Sequence, residues 1–209
     1  DDASVEDMLD VCRAYPGYCF PMIGFHPTSV EGPDAIYKVR EMKKHLVEGH
    51  PYIAVGEVGL DLYWDKTWLK EQQLILDEQI QWALEWKLPL VIHCREAFPE
   101  LFQVLEPYKH TELTGVFHSF TGTVDEAREL MDYSRFMVGV NGVVTFKKST
   151  LPEVLKEVPL TKLVLETDSP YLAPVPFRGK RNETSYVKRV AMKLAELCGM
   201  EIGEVERQT

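Results

Sequence analysis

Six short apolar runs recur along the chain, and each stops at a polar residue. Phe20–Phe25 stops at His26, Tyr52–Val55 at Gly56-Glu57, and Leu88–Ile92 at His93. Leu113–Phe117 stops at His118, Arg135–Val140 at Asn141-Gly142, and Lys162–Thr167 at Asp168. Continuous β-branched and aliphatic runs of this length predict strands covered on both faces. Amphipathic stretches lie between them. Residues 4–14, 34–48, 68–87, 97–106, 124–133, 150–157 and 185–198 place apolar side chains at helical spacing. Over 68–87 the buried stripe is Leu76, Ile80, Ala83 and Leu84, with Gln72 and Gln79 on the polar side and Trp82 and Trp86 as packing residues. Thr123-Val-Asp-Glu126 spells a capping box. Gly49 and Gly199 are predicted C-caps. His45 and His50 fall at the end of the second helix and read as solvated.

Strand and helix alternate, the signature of a parallel α/β sheet. Ligand-type residues stand at the ends of nearly every strand. A doubly wound sheet concentrates its site at one switch point, so the pattern favours a TIM-type (β/α)8 barrel. Six strands are two short of a barrel. The first two βα units are therefore expected to be missing from this chain, ahead of Asp1. No linker or repeat interrupts residues 1–209, which read as one domain.

Composition narrows the function classes. The 209 residues are 45% hydrophobic and 27% charged, as in an ordinary globular chain. No apolar run approaches the roughly 20 residues a spanning helix needs. Four cysteines without C-x-x-C spacing fit reduced thiols in a cytoplasmic protein. Cys94 follows His93 directly but points to the opposite face of a strand. A net charge of −10 disfavours a broad phosphate-tracking surface. A local basic cluster and bound metal still permit phosphate chemistry.

Glu57, His93, His118 and Asp168 are oxygen and nitrogen donors on four separate strand ends, a set suited to Mg2+, Mn2+ or Zn2+. A bound divalent ion lowers the pKa of water, and Asp168 is placed to take the water's proton. Glu57 fits a bridging role between two ions. Arg178, Lys180 and Arg181 follow the last strand; a guanidinium grips phosphate with a planar fork. Tyr63 and Trp64, just beyond Glu57, are candidates for stacking on a base or for ordinary packing.

Six stretches carry a family resemblance: Gly24-Phe-His-Pro27, Val55-Gly-Glu-Val-Gly-Leu-Asp61, Val91-Ile-His-Cys-Arg95, Phe117-His-Ser-Phe-Thr-Gly122, Leu165-Glu-Thr-Asp-Ser-Pro170 and Arg178-Gly-Lys-Arg-Asn182. In this order they resemble the TatD family of metal-dependent hydrolases. The resemblance implies a barrel with one to three divalent ions, Mg2+ first, at its C-terminal face. It implies 3′-5′ exodeoxyribonuclease action on DNA ends, with single-stranded DNA the expected partner; a monomer with no membrane partner is expected. Carried over by motif, Glu57, His93, His118 and Asp168 are metal ligands, Glu57 and Asp168 also catalytic, and His26 and Arg178 hold the substrate. The family's opening Asp-Thr-His-x-His is absent, and Glu183-Thr184 replaces Glu-Pro. A metal-dependent amidohydrolase or esterase acting on a small substrate is the alternative.

Overall fold

The computed structural model describes residues 4–209. The chain forms two compact units, 1–116 and 117–209. The division falls inside a strand, β4 (Gly115–Phe117), and not in a linker.

In the first unit α1 (Val5–Ala14) precedes β1 (Met22–Ile23), and α2 (Ala35–Lys43) leads to β2 (Ala54–Asp61). Helix α3 (Leu69–Trp86), β3 (Leu90–Arg95) and α4 (Phe98–Leu105) follow. β1 pairs with β2 and β2 with β3, all parallel. The Leu90 amide donates to the Thr114 carbonyl at 2.9 Å, bringing the approach to β4 alongside β3.

Two strands run further than the hydrophobic runs predict. β2 continues through Glu57 and Gly59 to Asp61, and β3 continues past His93 to Arg95. Glu57 and His93 are therefore strand residues and not strand ends. The reason is Gly59. With φ at +138°, it lies against β3 so closely that a Cβ would stand 1.9 Å from the His93 carbonyl oxygen. The glycine that looks like a strand breaker is what lets two backbones run on together. The register slips between Gly56 and Val58, a bulge centred on Glu57. Bulges re-aim a side chain without ending the strand.

α2 is shorter than its pattern, ending at Lys43 with Lys44 as its cap, so Gly49 caps nothing. His50 is packed rather than solvated, with its ring 5.1 Å from Trp86 and 5.7 Å from Tyr52.

The second unit holds α5 (Val124–Leu130), β5 (Phe136–Val140), α6 (Leu151–Val154), β6 (Leu163–Leu165), α7 (Val187–Cys198) and α8 (Ile202–Gln208). β5 and β6 are parallel. The capping box forms, with Thr123 accepting from the Glu126 amide and Glu126 from the Thr123 amide. Gly199 closes α7 in the left-handed region at φ +63°. β6 ends at Leu165, three residues before Asp168, so Asp168 stands on the loop. α8 is absent from the apolar pattern, because its seven residues bury Val205 alone among them. Among the described residues, no helix is long and apolar enough to cross a membrane.

Candidate functional site

Helix α3 sets the position of the first unit's polar residues. Gln72 and Gln79 were expected on its solvated face, yet they are 3% and 0% exposed. Each clasps a neighbouring segment by its backbone. Gln79 Oε1 accepts from the Phe25 amide at 2.6 Å while its Nε2 donates to the Phe25 carbonyl at 3.3 Å. Gln72 treats Asp61 the same way, at 2.9 and 3.1 Å. A primary amide offers donor and acceptor side by side and so stands in for a neighbouring strand. Binary patterning scores glutamine as polar and misses this use. The clasps fix Phe25, which precedes His26, and Asp61, which closes β2.

His26, Glu57 and His93 come together in this unit, each half-buried. One donor atom from each lies within 4.8 Å of those of the other two. The His26 and His93 rings are 4.6 Å apart, and His26 Nε2 is 3.4 Å from Glu57 Oε2. Both imidazoles are held from behind. His26 Nδ1 lies 2.7 Å from the Thr28 hydroxyl, and His93 Nε2 lies 2.8 Å from Asp61 Oδ2. Asp61 is 3% exposed. Its other oxygen accepts from the Tyr63 amide at 3.0 Å, anchoring the loop that follows. Burial, then the charge of His26, pushes the His93 pKa below its ordinary 6.5, while Asp61 and Glu57 oppose the shift. A neutral, oriented imidazole is the form that ligates a metal.

Two nitrogens and a carboxylate oxygen converging in this way match the donor chemistry of a divalent transition ion or Zn2+. The residues present therefore fit such an ion. His26, expected beside the substrate, stands among the donors themselves.

The second unit repeats the device with other parts. His118 Nδ1 is 2.7 Å from Glu166 Oε2, and the other Glu166 oxygen accepts from the Ser119 amide at 2.5 Å. His118 Nε2 is 3.4 Å from Asp168 Oδ1. Glu166 has room because residue 139 lacks a side chain: a Cβ on Gly139 would lie 2.4 Å from its Oε1. Asn141 is 1% exposed and donates to the Ser119 hydroxyl at 2.5 Å. Arg178 is exposed, with its guanidinium 4.0 Å above the Phe146 ring.

Asp61 and Glu166 were not singled out in the sequence for these roles. The available signal was position: Asp61 lies four residues beyond Glu57, and Glu166 two before Asp168.

The family model described as "TatD related DNase" matches residues 1–209. The chain belongs to the TatD-related DNase family. It is 40% identical over 206 residues to the uncharacterized metal-dependent hydrolase YabD of Bacillus subtilis, covering 98% of this chain and 79% of that protein. It is 29% identical over 210 residues to the 3′-5′ ssDNA/RNA exonuclease TatD of Erwinia tasmaniensis, covering 98% and 80%. Among solved structures it resembles YJJV, a TatD homologue of Escherichia coli, with a TM-score of 0.86 at 27% identity over 99% of this chain and 79% of that one. This TatD-family likeness carries the TIM-barrel fold class expected from the strand-end pattern. The chain is thus a TatD-family member of the metal-dependent hydrolase type.

Proposed function

We propose that this protein hydrolyses phosphodiester bonds at the ends of DNA, as a metal-dependent 3′-5′ exodeoxyribonuclease. The observation that carries the reading is the convergence of His26, Glu57 and His93 within 4.8 Å, with His93 oriented by a buried aspartate. Within the first unit Glu57 and His93, and within the second His118 and Asp168, are each proposed as ligands of Mg2+ or a similar divalent ion. When bound, such an ion supplies a polarised phosphoryl oxygen and an acidified water. Asp168 Oδ1 takes the proton of the attacking water, and His118, kept in one tautomer by Glu166, neighbours it at 3.4 Å. Glu57 adds a second carboxylate. His26 Nε2, 3.4 Å from Glu57 Oε2, completes the first unit's donor group and stands beside the substrate phosphate. Arg178, exposed and stacked on Phe146, offers its guanidinium to a phosphate oxygen. The relative named as an exonuclease supports this choice of substrate.

The net charge of −10 favours the second reading, an amide or ester of a small substrate. One experiment separates the two. The protein is incubated with 3′-labelled single-stranded DNA and Mg2+, with and without EDTA, beside Asp168→Asn. Label is expected to be released only with metal and only by the unsubstituted protein. Intact DNA in every arm, with hydrolysis of amide or ester substrates, overturns the nuclease reading.

A further inference from the structure

Two residues beyond the buried Asp61 the chain presents a pair of aromatics to solvent. Tyr63 is 47% exposed and Trp64 is 72% exposed. They were candidates for ordinary packing, but side chains this open contribute little to a core. They are nevertheless ordered against each other and against a cation. The rings meet edge to face at 4.8 Å and 87°. The Arg95 guanidinium lies 3.5 Å from the centre of the Tyr63 ring and 5.5 Å from that of Trp64. Arg95 closes β3 two residues after His93, opposite Asp61 in the β2–β3 register. Residues two apart in a strand share a face and lie about 6.6 Å apart. The cluster is thus one short step from the His26–Glu57–His93 donors, and all of it belongs to the first unit.

We infer that Trp64, braced by Tyr63 and Arg95, is a stacking subsite for a nucleobase of a single-stranded chain. The inference rests on the phosphodiesterase reading for its substrate class and adds what that reading leaves open, how the substrate's base is held. Three features point to a base rather than a protein side chain or a lipid. An exposed indole offers a flat π-face that accepts any base without regard to sequence. The guanidinium adds a cation beside that face, able to meet the phosphate linking one base to the next. Asp61 joins the two places mechanically: Oδ2 orients His93, while Oδ1 accepts from the Tyr63 amide at the root of the aromatic loop. A base on Trp64 and a phosphate at the donors would be registered by one buried carboxylate.

The test compares two fluorescein-labelled oligomers of equal length and charge, oligo-dT and a fully abasic strand. Their binding to the full chain is followed by anisotropy in EDTA, where neither strand is cut, and hydrolysis is scored separately with Mg2+. The wild-type protein is expected to prefer oligo-dT, Trp64→Ala to weaken that binding about tenfold, and Trp64→Phe to restore most of it, in the range of base–aromatic stacking. Binding of the abasic strand should stay the same in all three. Equal affinity of the wild type for both oligomers overturns the inference, as does an equal loss on both in Trp64→Ala. Preference for oligo-dT without any hydrolysis refutes the phosphodiesterase reading and leaves the subsite standing.

Discussion

The two units solve one problem with different materials. Each holds a histidine in a fixed tautomer with a carboxylate behind it: His93 with Asp61 in the first, His118 with Glu166 in the second. In the first unit the carboxylate sits on the adjoining strand, 3% exposed, and its own backbone is clasped by Gln72 from α3. In the second it comes from the loop end of β6, its side chain is 17% exposed, and it fits only because Gly139 leaves a gap. One carboxylate stands on a backbone clasped from a helix, the other in a place that an omitted side chain leaves open. A ligand can be made rigid either by crowding it with partners or by clearing the one place it can occupy.

Substitutions that break one arrangement should spare the other. The largest effect is expected from Asp61→Ala, which removes the acceptor of His93 and of the Tyr63 amide together. Loss of an orienting carboxylate typically lowers metal affinity about 10- to 100-fold. Leaving buried donors unpaired costs about 1–3 kcal/mol each. Calorimetric titration with Mn2+ and a denaturant curve check both, and an unchanged affinity would mean that His93 needs no orienter. Gly139→Ala should come next. It displaces Glu166 and costs about 1–3 kcal/mol by overpacking. The ring signals of His118 should move in nitrogen NMR while those of His93 stay in place.

Gln79→Leu is expected to cost about 1–3 kcal/mol, because it strands the amide and the carbonyl of Phe25 at once. Reduced ordering of His26 should follow, seen as broadening of its ring resonances. Gln79→Glu keeps the acceptor but sets a buried carboxylate oxygen against the Phe25 carbonyl, so its cost should be at least as large.

The smallest effect is a pH dependence. The folded protein holds the His93 pKa below 6.5, chiefly by burial. A depressed histidine pKa gives stability that is complete above about 6.5 and is lost as the pH falls from there toward the folded value. Asp61 opposes the depression, so Asp61→Asn should push the folded value lower and steepen the acid loss. Denaturant midpoints between pH 7 and 5 read this directly. A midpoint that rises on acidification would reverse the sign.

Much of this was legible before the structure, and the exceptions share a cause. The six strands and most of the helices follow from hydrophobic spacing, and the candidate donors follow from where the apolar runs stop. β2 and β3 outran their patterns because Gly59 serves close backbone contact, which periodicity counts as a break. Gln72 and Gln79 were placed on the wrong side of α3 because hydropathy scores a side chain alone, whereas a primary amide paired to a strand's backbone is satisfied in the dark. Asp61 and Glu166 escaped for a related reason. Their role is to another side chain, and the sequence separates Glu166 from His118 by 48 residues.

The spacing of the two glutamines has a consequence for how this chain can vary. Seven residues along a helix advance about 10.5 Å and return nearly to the same azimuth. Gln72 and Gln79 therefore act as two teeth of one gear, meshed with the end of β2 and with Phe25 just beyond β1. Inserting or deleting a single residue between them would turn one tooth by about 100° and unmesh it. Beyond Trp64 the connection to α3 can change in length at small cost, as surface loops do. That stretch of α3 tolerates substitution at exposed positions such as Leu74, but not a change of phase.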